Sequence, residues 1–472
     1  MKLKSNSAIL VGLLLTLSLL WPAIYNGSPL YFTFDTFSYL HKQNAQFRPN
    51  LLYGTFTEFA SMGISLWWIL FFQTAIVVSL LLWVLSEYRV PRRIWVASFL
   101  VAVTASTLPI FASLILPDIF GPIAFLCFLL LAGRPEKKKL MLYPLFLFSL
   151  FSHLSHLIIF PTLYLVSLSF SGLYSGKNTK RVLGFFCLTL PLSIGIAFWF
   201  LPSQKKPVTQ LPTLFVGRLV HSGFVNDFLA KNCWNRDYII CDYRNDIKEK
   251  KELAFLWGKK FPWSNPNYSP ESEAIFEKEF IQLSLEILVD QPFHFVADSF
   301  YRVGRQILKY NHVIFLKEKR LHETQRQVRE LGLNVESLFD SRQSTNVHEH
   351  KAYERFFVPV AQFTYLAGIT LSLLSLIIGI VQKKPGNSLV KLQTFSLLYA
   401  VCNAFSTATF SAVGTRYQMR MGWILSVVGV ISVYELATNQ INFGLIYQKG
   451  KLSLIELQKL LRQVPNGQFK HS

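Results

Sequence analysis

Long apolar runs recur along the chain, and short polar or basic segments separate them. A helix needs about 20 apolar residues to cross the hydrocarbon core of a bilayer, because only helices and closed barrels satisfy their own backbone hydrogen bonds there. Ten runs approach that length and predict ten membrane-spanning helices, so the pattern predicts an all-α polytopic membrane protein. The predicted spans cover residues 8–25, 64–85, 94–112, 116–133, 140–153, 156–173, 182–201, 356–381, 389–409 and 419–438.

Two parts of this assignment have an alternative interpretation. The polar stretch Ser152–His156 divides the apolar run of residues 140–173 into two spans; read as one long helix, this run would invert the orientation of everything downstream. The first run could instead be a cleaved signal peptide, since Met1–Ser5 is basic. No small-x-small cleavage site follows Leu20, and we favour an uncleaved first helix.

The positions of Lys and Arg predict the orientation of the spans, because short cytoplasmic segments of membrane proteins hold a basic excess. With the N-terminus inside, the inward segments hold 20 basic residues, whereas the short outward segments hold four. These four are Lys42, Arg48, Arg416 and Arg420. The counts predict a multi-pass protein with both termini in the cytoplasm. We expect the membrane to be a bacterial-type cytoplasmic (inner) membrane.

Composition divides the chain into four parts. Residues 1–201 hold the first seven predicted spans and a juxtamembrane helix in the first loop, and residues 356–438 hold the last three. Residues 202–355 contain 23 basic and 20 acidic residues and predict a mainly helical extracytoplasmic domain. Residues 439–472 predict an amphipathic cytoplasmic tail that lies against membrane lipid, with a partner helix as the alternative.

The overall composition agrees with this division. The chain has 472 residues, of which 51% are hydrophobic and 16% charged, with a mean hydropathy of +0.33. Soluble domains carry about 25% charged residues, so a soluble globular enzyme is a poor interpretation. The formal charge of +20 follows from the basic cytoplasmic segments and predicts no nucleic-acid partner.

Within the predicted outward domain, two groups of residues are candidates for binding or structure. Cys233 and Cys241 predict a disulfide on the oxidising side of the membrane. A zinc site that includes His221 is the alternative, although the four-ligand spacing of structural zinc sites is absent. Arg218, His221 and Asp227 lie close together in the sequence and are candidates for binding an acceptor, but their spacing predicts no particular chemistry.

Acidic residues are rare outside residues 202–355, and three of them are predicted beside spans at the outer face: Asp35, Glu58 and Asp118. An ionisable group at the membrane boundary is costly unless it faces a cavity or a partner, so each is a functional candidate. Asp35 falls in a predicted juxtamembrane helix and Asp118 in the short turn between the third and fourth spans. We predict that both project from one membrane face; for Glu58 we favour simple solvation.

Basic and imidazole side chains are predicted at the same face. Arg416 and Arg420 are four residues apart and share one side of a helix, where they could bind a lipid phosphate. The alternative is interfacial snorkelling. His153 and His156 lie at the outer end of the fifth predicted span and are candidates for a phosphate contact or a metal site with a carboxylate. For them the alternative is a hydrated helix turn.

These residues resemble a known family. The sequence Asp-Thr-Phe-Ser-Tyr at Asp35–Tyr39, followed by Arg48–Tyr53, resembles the first outward loop of the C-type membrane glycosyltransferase superfamily. The nearest likeness is to its protein-mannosyl and lipid A aminoarabinose transferase branches. Asp118 and Arg416–Tyr417 are similar to further features of this group. The likeness covers the first 200 residues and the last spans, and nothing carries over for residues 202–355.

The resemblance implies transfer of a sugar, with inversion, from a polyprenyl-phosphate donor to a glycan, lipid or protein acceptor at the outer face. It implies that Asp35 acts as general base or orients the acceptor, and that Asp118 supports it. The family often has paired acids in the first loop, whereas Thr36 follows Asp35 here. No cofactor is certain, and a divalent metal stays open. With the residues singled out above by their charge and position, the candidates for substrate binding are Arg416, Tyr417, Arg420, Tyr39, Arg48, His153 and His156.

Other classes of function stay open beside this one: a transporter or flippase for a lipid-linked glycan, an outer-face polysaccharide polymerase or ligase, and a non-catalytic assembly protein. If the protein is an enzyme, Asp35, Asp118 and Arg416 are expected to line one outward cavity. If it is a transporter, polar groups are expected near the bilayer midplane. Transporters commonly contain broken helices in two matching halves of the chain, and the sequence shows no such halves.

Overall fold

In the computed structural model, the described residues are 5–40, 52–133, 137–153, 155–169, 207–236, 238–248, 255, 270–310, 340–342, 347–382, 388–410 and 414–438. The predicted span at 182–201, the predicted tail at 439–472 and Arg48 lie outside them.

Every named element in these residues is helical, which confirms the predicted all-α class. The helices are α1 (Ser5–Leu19), α2 (Trp21–Asn26), α3 (Thr33–Leu40), α4 (Tyr53–Ser61), α5 (Trp67–Glu87), α6 (Arg92–Thr104), α7 (Leu108–Ser113), α8 (Phe120–Ala132), α9 (Leu142–Phe151), α10 (His156–Ser169), α11 (Pro207–His221), α12 (Phe224–Asn232), α13 (Arg244–Lys248), α14 (Pro270–Asp290), α15 (Pro292–Leu308), α16 (Val347–Val381), α17 (Ser388–Phe410) and α18 (Thr415–Thr438). Short 3₁₀ turns lie at Pro117–Ile119, Lys137–Met141 and Ile239–Tyr243.

Three helices in the described part of the chain are long and apolar enough to cross a membrane: Trp67–Glu87, Arg355–Val381 and Arg416–Thr438. Shorter apolar helices occupy Ile9–Leu19, Pro117–Ala132, Lys139–Phe151 and His156–Ser167. These lengths and compositions indicate a membrane-associated protein, whereas the full count of ten spans remains a prediction.

The predicted span at residues 94–112 is not one continuous helix, because the chain forms two helices there. α6 ends at Thr104 and α7 begins at Leu108. The Ser106 hydroxyl donates a hydrogen bond to the Ala102 carbonyl at 2.7 Å and accepts one from the Leu108 amide at 3.2 Å. Between the two helices, this side chain therefore takes the place of hydrogen bonds that a continuous helix would make within its backbone. Pro109 has no amide hydrogen to continue a helix. The apolar run at 140–173 also forms two helices, α9 and α10, rather than one long helix.

Two glycines let α16 and α18 approach closely. A Cβ atom on Gly368 would lie 2.1 Å from the Leu425 carbonyl oxygen, and one on Gly429 would lie 2.7 Å from the Gly368 Cα atom. Small residues at such a crossing allow backbone contact between apolar helices, where packing replaces the hydrophobic drive of water. This contact holds α18 against the bundle and so positions the arginines at its N-terminal end.

Helix α15 packs directly on the helices of the apolar bundle. The side-chain amide nitrogen of Gln306 donates to the Gly414 carbonyl at 2.8 Å, and the Gly414 backbone amide donates to the Gln306 side-chain oxygen at 2.9 Å. Tyr310 stacks on Tyr365 with ring centroids 4.6 Å apart, and its hydroxyl lies 3.1 Å from the Thr107 hydroxyl. Apolar residues at helical spacing predict helices over residues 271–289 and 293–310. The structure confirms both, as α14 and α15.

A second apolar core lies among α11, α12 and α14 and includes Val216, Phe224, Phe280 and Ile287. Its edge carries a polar contact in which Arg236 and Tyr238 both donate to the Glu286 carboxylate. Desolvation opposes ionisation of Glu286, but hydrogen bonds from Tyr238, Gln282 and Arg236 outweigh it and lower the pKa of this carboxyl group.

The lowered pKa of Glu286 predicts a loss of stability in acid. The stabilisation is complete above the unfolded-state pKa of about 4.3 and disappears as the pH falls through the lower pKa of the folded state. Thermal unfolding between pH 6 and 3 should therefore depend less steeply on pH in Glu286→Gln than in the unchanged protein. Asp290, an exposed carboxylate of the same helix, provides the control, and an equal slope in Glu286→Gln and the unchanged protein would contradict the prediction.

Candidate functional site

The first turns of α18 place Arg416 and Arg420 on one side of the helix, where both meet carboxylates. Arg416 forms an ion pair with Asp35 of α3, and its Nε atom lies 3.8 Å from the Asp118 Oδ1 atom. Arg420 Nη1 donates to the same Asp118 oxygen at 3.3 Å. The structure thus brings together the two aspartates and two arginines singled out in the sequence, with Arg416 bridging the carboxylates.

Thr36 explains how Asp35 and Asp118 come to lie close together. Its buried hydroxyl donates to the Ile115 carbonyl at 3.0 Å and accepts the Phe32 amide at 2.8 Å. Leu30 adds a backbone bridge to the same extended segment, since the Ile115 amide donates to its carbonyl at 3.0 Å. Thr36, which directly follows Asp35, therefore ties α3 to the segment that leads into Asp118.

Exposure differs sharply across this charge cluster, which consists of Asp35, Asp118, Arg416 and Arg420. The side chains of Asp118 and Arg420 are 1% and 0% exposed, whereas those of Asp35 and Arg416 are 13% and 11% exposed. Two carboxylates face two guanidinium groups, so the formal charges cancel. The buried pair forms the floor of the cluster, and the partly exposed pair forms its rim.

Arg420 is held by neutral groups as well as by Asp118. Asn403 of α17 accepts hydrogen bonds from its Nε and Nη2 atoms at 3.3 and 2.9 Å, and the Ser155 hydroxyl accepts one from Nη1 at 3.1 Å. Asn403 in turn donates to the Tyr417 carbonyl at 2.8 Å. Sequence reasoning missed Asn403 and Ser155 as parts of the site; a polar residue inside an apolar span was the available signal for Asn403.

His153 and His156 lie beside Arg420, with ring centroids 5.3 Å apart. The Ser155 hydroxyl lies 2.8 Å from the His153 Nδ1 atom. The His156 Nδ1 atom lies 2.8 Å from the Ser149 carbonyl, so this nitrogen carries the proton and Nε2 is the acceptor. The described residues contain no group of three His, Cys, Asp or Glu side chains that could hold a metal ion.

Several buried polar atoms near Asp118 have no hydrogen-bond partner among the described residues: Asp118 Oδ2, His156 Nε2 and Tyr399 Oη. A Cβ atom added to Gly121 would lie 2.8 Å from His156 Nε2 and 3.2 Å from Tyr399 Oη, so these two side chains pack closely against the glycine and leave no room for a larger residue. An unsatisfied buried polar group costs about 1–3 kcal/mol. The floor of the cluster therefore contains buried polar atoms that reduce the stability of the protein.

Aromatic rings surround the rim. The Arg416 guanidinium lies 4.7 Å from the Phe32 ring centroid and 5.7 Å from that of Tyr417. Tyr39 is buried and packs edge-on against Tyr53 at 5.7 Å. The structure thus brings Tyr417 into contact with both arginines, whereas Tyr39 packs inside the protein.

The candidates of the predicted outward domain lie away from this cluster. Cys233 and Cys241 form a disulfide with Cα atoms 5.8 Å apart. Arg218 forms an ion pair with Asp298, while Asp227 is exposed on α12. Comparison with protein-family models, curated proteins and solved structures finds no match to this chain.

Proposed function

We propose that the protein is a membrane glycosyltransferase that moves a sugar from a polyprenyl-phosphate donor to an acceptor hydroxyl. The observation that supports this most directly is the bridge that Arg416 makes between Asp35 and Asp118 at the rim of a buried charge cluster. Such a rim offers a base for the acceptor and a cation for the leaving phosphate within a few ångströms of each other. Resemblance of the loop around Asp35 to the C-type superfamily favours the same reaction.

The chemistry assigns a separate task to each rim residue. The acceptor oxygen attacks the anomeric carbon while the bond from that carbon to the phosphate oxygen breaks. The acceptor proton passes to the Asp35 carboxylate, and polyprenyl phosphate leaves with the electron pair. Arg416 stabilises the negative charge that develops on the phosphate. Binding of the donor phosphate loosens the contact of Arg416 with Asp35 and makes the carboxylate available as a base.

The floor residues position the rim. Asp118 contacts both arginines, and Asn403 fixes the direction of Arg420. With Asp118 held by Arg420, its carboxylate keeps Arg416 at the rim. His156 and Tyr399 pack against Gly121, at the start of α8, and help to fix the floor in place.

In the proposed topology, ten spans cross a bacterial-type inner membrane and both termini are cytoplasmic. The charge cluster then lies at the outer face, together with an extracytoplasmic domain formed by residues 202–355. An outer-face site agrees with a lipid-linked donor. The acceptor is a glycan, a lipid or a protein.

Arg416→Lys tests the proposed role of the guanidinium. Lysine keeps the charge but cannot present two nitrogens in a fixed fork to two carboxylates and a phosphate. We expect about a 100-fold lower rate of polyprenyl-phosphate release from polyprenyl-phosphate mannose or aminoarabinose in detergent. Arg93→Lys, at an exposed arginine of α6, is the matched control and should keep the full rate. A rate within threefold of the unchanged protein in Arg416→Lys would remove this arginine from the reaction.

A transporter for a lipid-linked glycan is the second candidate, because one carboxylate lies inside the helical bundle. Glu435 of α18 is buried and accepts hydrogen bonds from Gln393 at 2.8 Å and Ser375 at 2.9 Å. It lies roughly 28 Å along the helix from Arg416, at 1.5 Å per residue. In the same assay an enzyme should keep its transfer rate in Glu435→Gln, whereas a transporter should show no transfer in the unchanged protein.

A further inference from the structure

One side of α15 exposes large apolar side chains at helical spacing. We call these residues the apolar stripe: Phe293, Val296, Phe300 and Leu308. Phe293 and Phe300 are 87% and 73% exposed. The buried residues of α15 lie on a different side of the helix and are Ser299, Arg302, Val303 and Gln306. A contiguous exposed apolar surface marks a site of interaction, and the proposed reaction makes no use of this one.

The C-terminal end of α15 lies beside two candidate membrane spans. Tyr310, just after this helix, packs against Gly422 of α18, where an added Cβ atom would lie 2.5 Å from the tyrosine ring. Gly422 is roughly 9 Å inside the span that begins at Arg416, at 1.5 Å per residue. Tyr310 also stacks on Tyr365, which is roughly 15 Å inside the span that begins at Arg355. This end of α15 therefore lies at the depth of the spans.

Contacts with α17 give the direction of α15. Near the start of α15, the Phe295 ring contacts Phe215, which also contacts Phe410 in the last turn of α17. Further along, Val303 packs with Ala404, which precedes Phe410 by more than one helical turn. From its first turn to its end, α15 therefore runs from the end of α17 into the side of the bundle, along the boundary where the candidate spans begin.

Amphipathic side chains line one edge of the apolar stripe. Tyr301 is exposed, and the Arg305 guanidinium lies 5.7 Å from its ring centroid. His294 is exposed on the same edge, two helical turns before Tyr301. Tyrosine and arginine can lay their apolar parts in hydrocarbon while their polar ends reach water. An apolar face with a basic edge is typical of a helix that lies in the bilayer interface.

The surface of α16 favours lipid as the partner of the apolar stripe. Phe356 and Phe363 are strongly exposed and lie in the first turns of the candidate span that begins at Arg355. Aromatic side chains thus point away from the bundle at the depth that the end of α15 reaches. Lipid surrounds a spanning helix at this depth, so the apolar stripe continues a surface that lipid covers.

We propose that α15 is an interfacial helix whose apolar stripe contacts the acyl chains of the leaflet at the Arg416 end of the bundle. Its basic edge lies among the lipid headgroups. Gln306 exchanges two hydrogen bonds with Gly414, which precedes Arg416 by two residues. Lipid contact with α15 therefore also supports the segment that leads into α18. Binding of lipid does not depend on the proposed sugar transfer.

Nitroxide labels test this proposal on the full-length protein in vesicles of phosphatidylcholine and phosphatidylglycerol. The cysteines outside the disulfide are first replaced by alanine: Cys127, Cys187 and Cys402. Single labels are then attached at Phe300→Cys and Leu308→Cys, with Lys231→Cys, at an exposed position of α12, as the matched control. Oxygen enters hydrocarbon, whereas a polar nickel chelate does not. We therefore expect the ratio of oxygen to nickel collisions to be at least about tenfold higher at both stripe positions than at the control.

Two other results would overturn the proposal. Nickel collisions as frequent at Phe300→Cys as at Lys231→Cys would place the apolar stripe in water. Infrequent collisions with both reagents would show that protein covers the stripe, and spin–spin broadening would then identify a second copy of the chain as the cover. Both stripe positions are exposed, so these substitutions should leave the melting temperature unchanged. The collision rates can be read whether or not the protein transfers sugar.

Discussion

Asp35→Asn should lower the rate of sugar transfer about 1000-fold while the protein remains folded. Asparagine has nearly the shape of aspartate and still offers Arg416 an oxygen, but it cannot take the proton of an acceptor hydroxyl. General bases contribute about 10²–10⁴ to a rate, and the partly exposed position of Asp35 at the rim suits it to this task. The measurement is transfer from polyprenyl-phosphate mannose or aminoarabinose in detergent, with the melting temperature followed in parallel.

Glu58→Gln is the matched control for Asp35→Asn. Glu58 is an exposed carboxylate on α4, next to α3 in the sequence, and its amide variant should transfer sugar at the full rate. The loss in Asp35→Asn should appear in kcat, because the missing proton acceptor acts in the transition state rather than in binding. A raised KM with unchanged kcat would show that Asp35 orients the acceptor. Full activity in both variants would remove Asp35 from the mechanism.

Asp118→Asn should destabilise the protein by about 3–5 kcal/mol, the cost of leaving a buried ion without its partner. Arg420 is fully buried, and Asp118 is the only carboxylate that the described residues place against it. Asp35→Asn should cost less, since its pair with Arg416 is partly exposed and Arg416 keeps its contact with Asp118. Equilibrium unfolding in mixed detergent would measure the difference between the two variants.

The double variant Asp118→Leu with Arg420→Met distinguishes the effect of the buried charge on stability from the effect of side-chain packing. Removing both members of a buried pair is often neutral in stability, because no uncompensated charge remains. We therefore expect the double variant to regain most of the stability that Asp118→Asn loses, but to have no transfer activity. If the double variant is as unstable as the single one, the loss reflects packing and not the buried charge of Arg420.

The candidate site shows how far local sequence rules extend. The spacing of Arg416 and Arg420 places both on one side of any helix, so their common direction was predictable from the sequence. Thr36 was visible only as a departure from paired acids. Its hydrogen bond to the Ile115 carbonyl depends on two segments that meet only in the folded chain. Asn403 and Ser155 were likewise unpredictable as partners of Arg420, because α10 and α17 approach α18 by tertiary packing alone.

The predicted outer domain illustrates another limit. Periodicity correctly located α14 and α15, yet it did not show that Gln306 pairs with Gly414 or that Tyr310 inserts beside Thr107. The exposure of Phe293 and Phe300 on α15 was not predictable either, because it depends on which side of the helix packs against the bundle.

Apolar runs by themselves determined that the chain is helical and associated with a membrane, because a backbone in hydrocarbon must satisfy its own hydrogen bonds. Rare carboxylates beside those runs singled out Asp35 and Asp118, since unpaired charge is costly there. Tertiary structure alone decided that Arg416 bridges the two carboxylates and that Arg420 is buried at the floor of the charge cluster. Ion pairs form between groups that packing brings within a few ångströms, and no local pattern records which distant segments will meet.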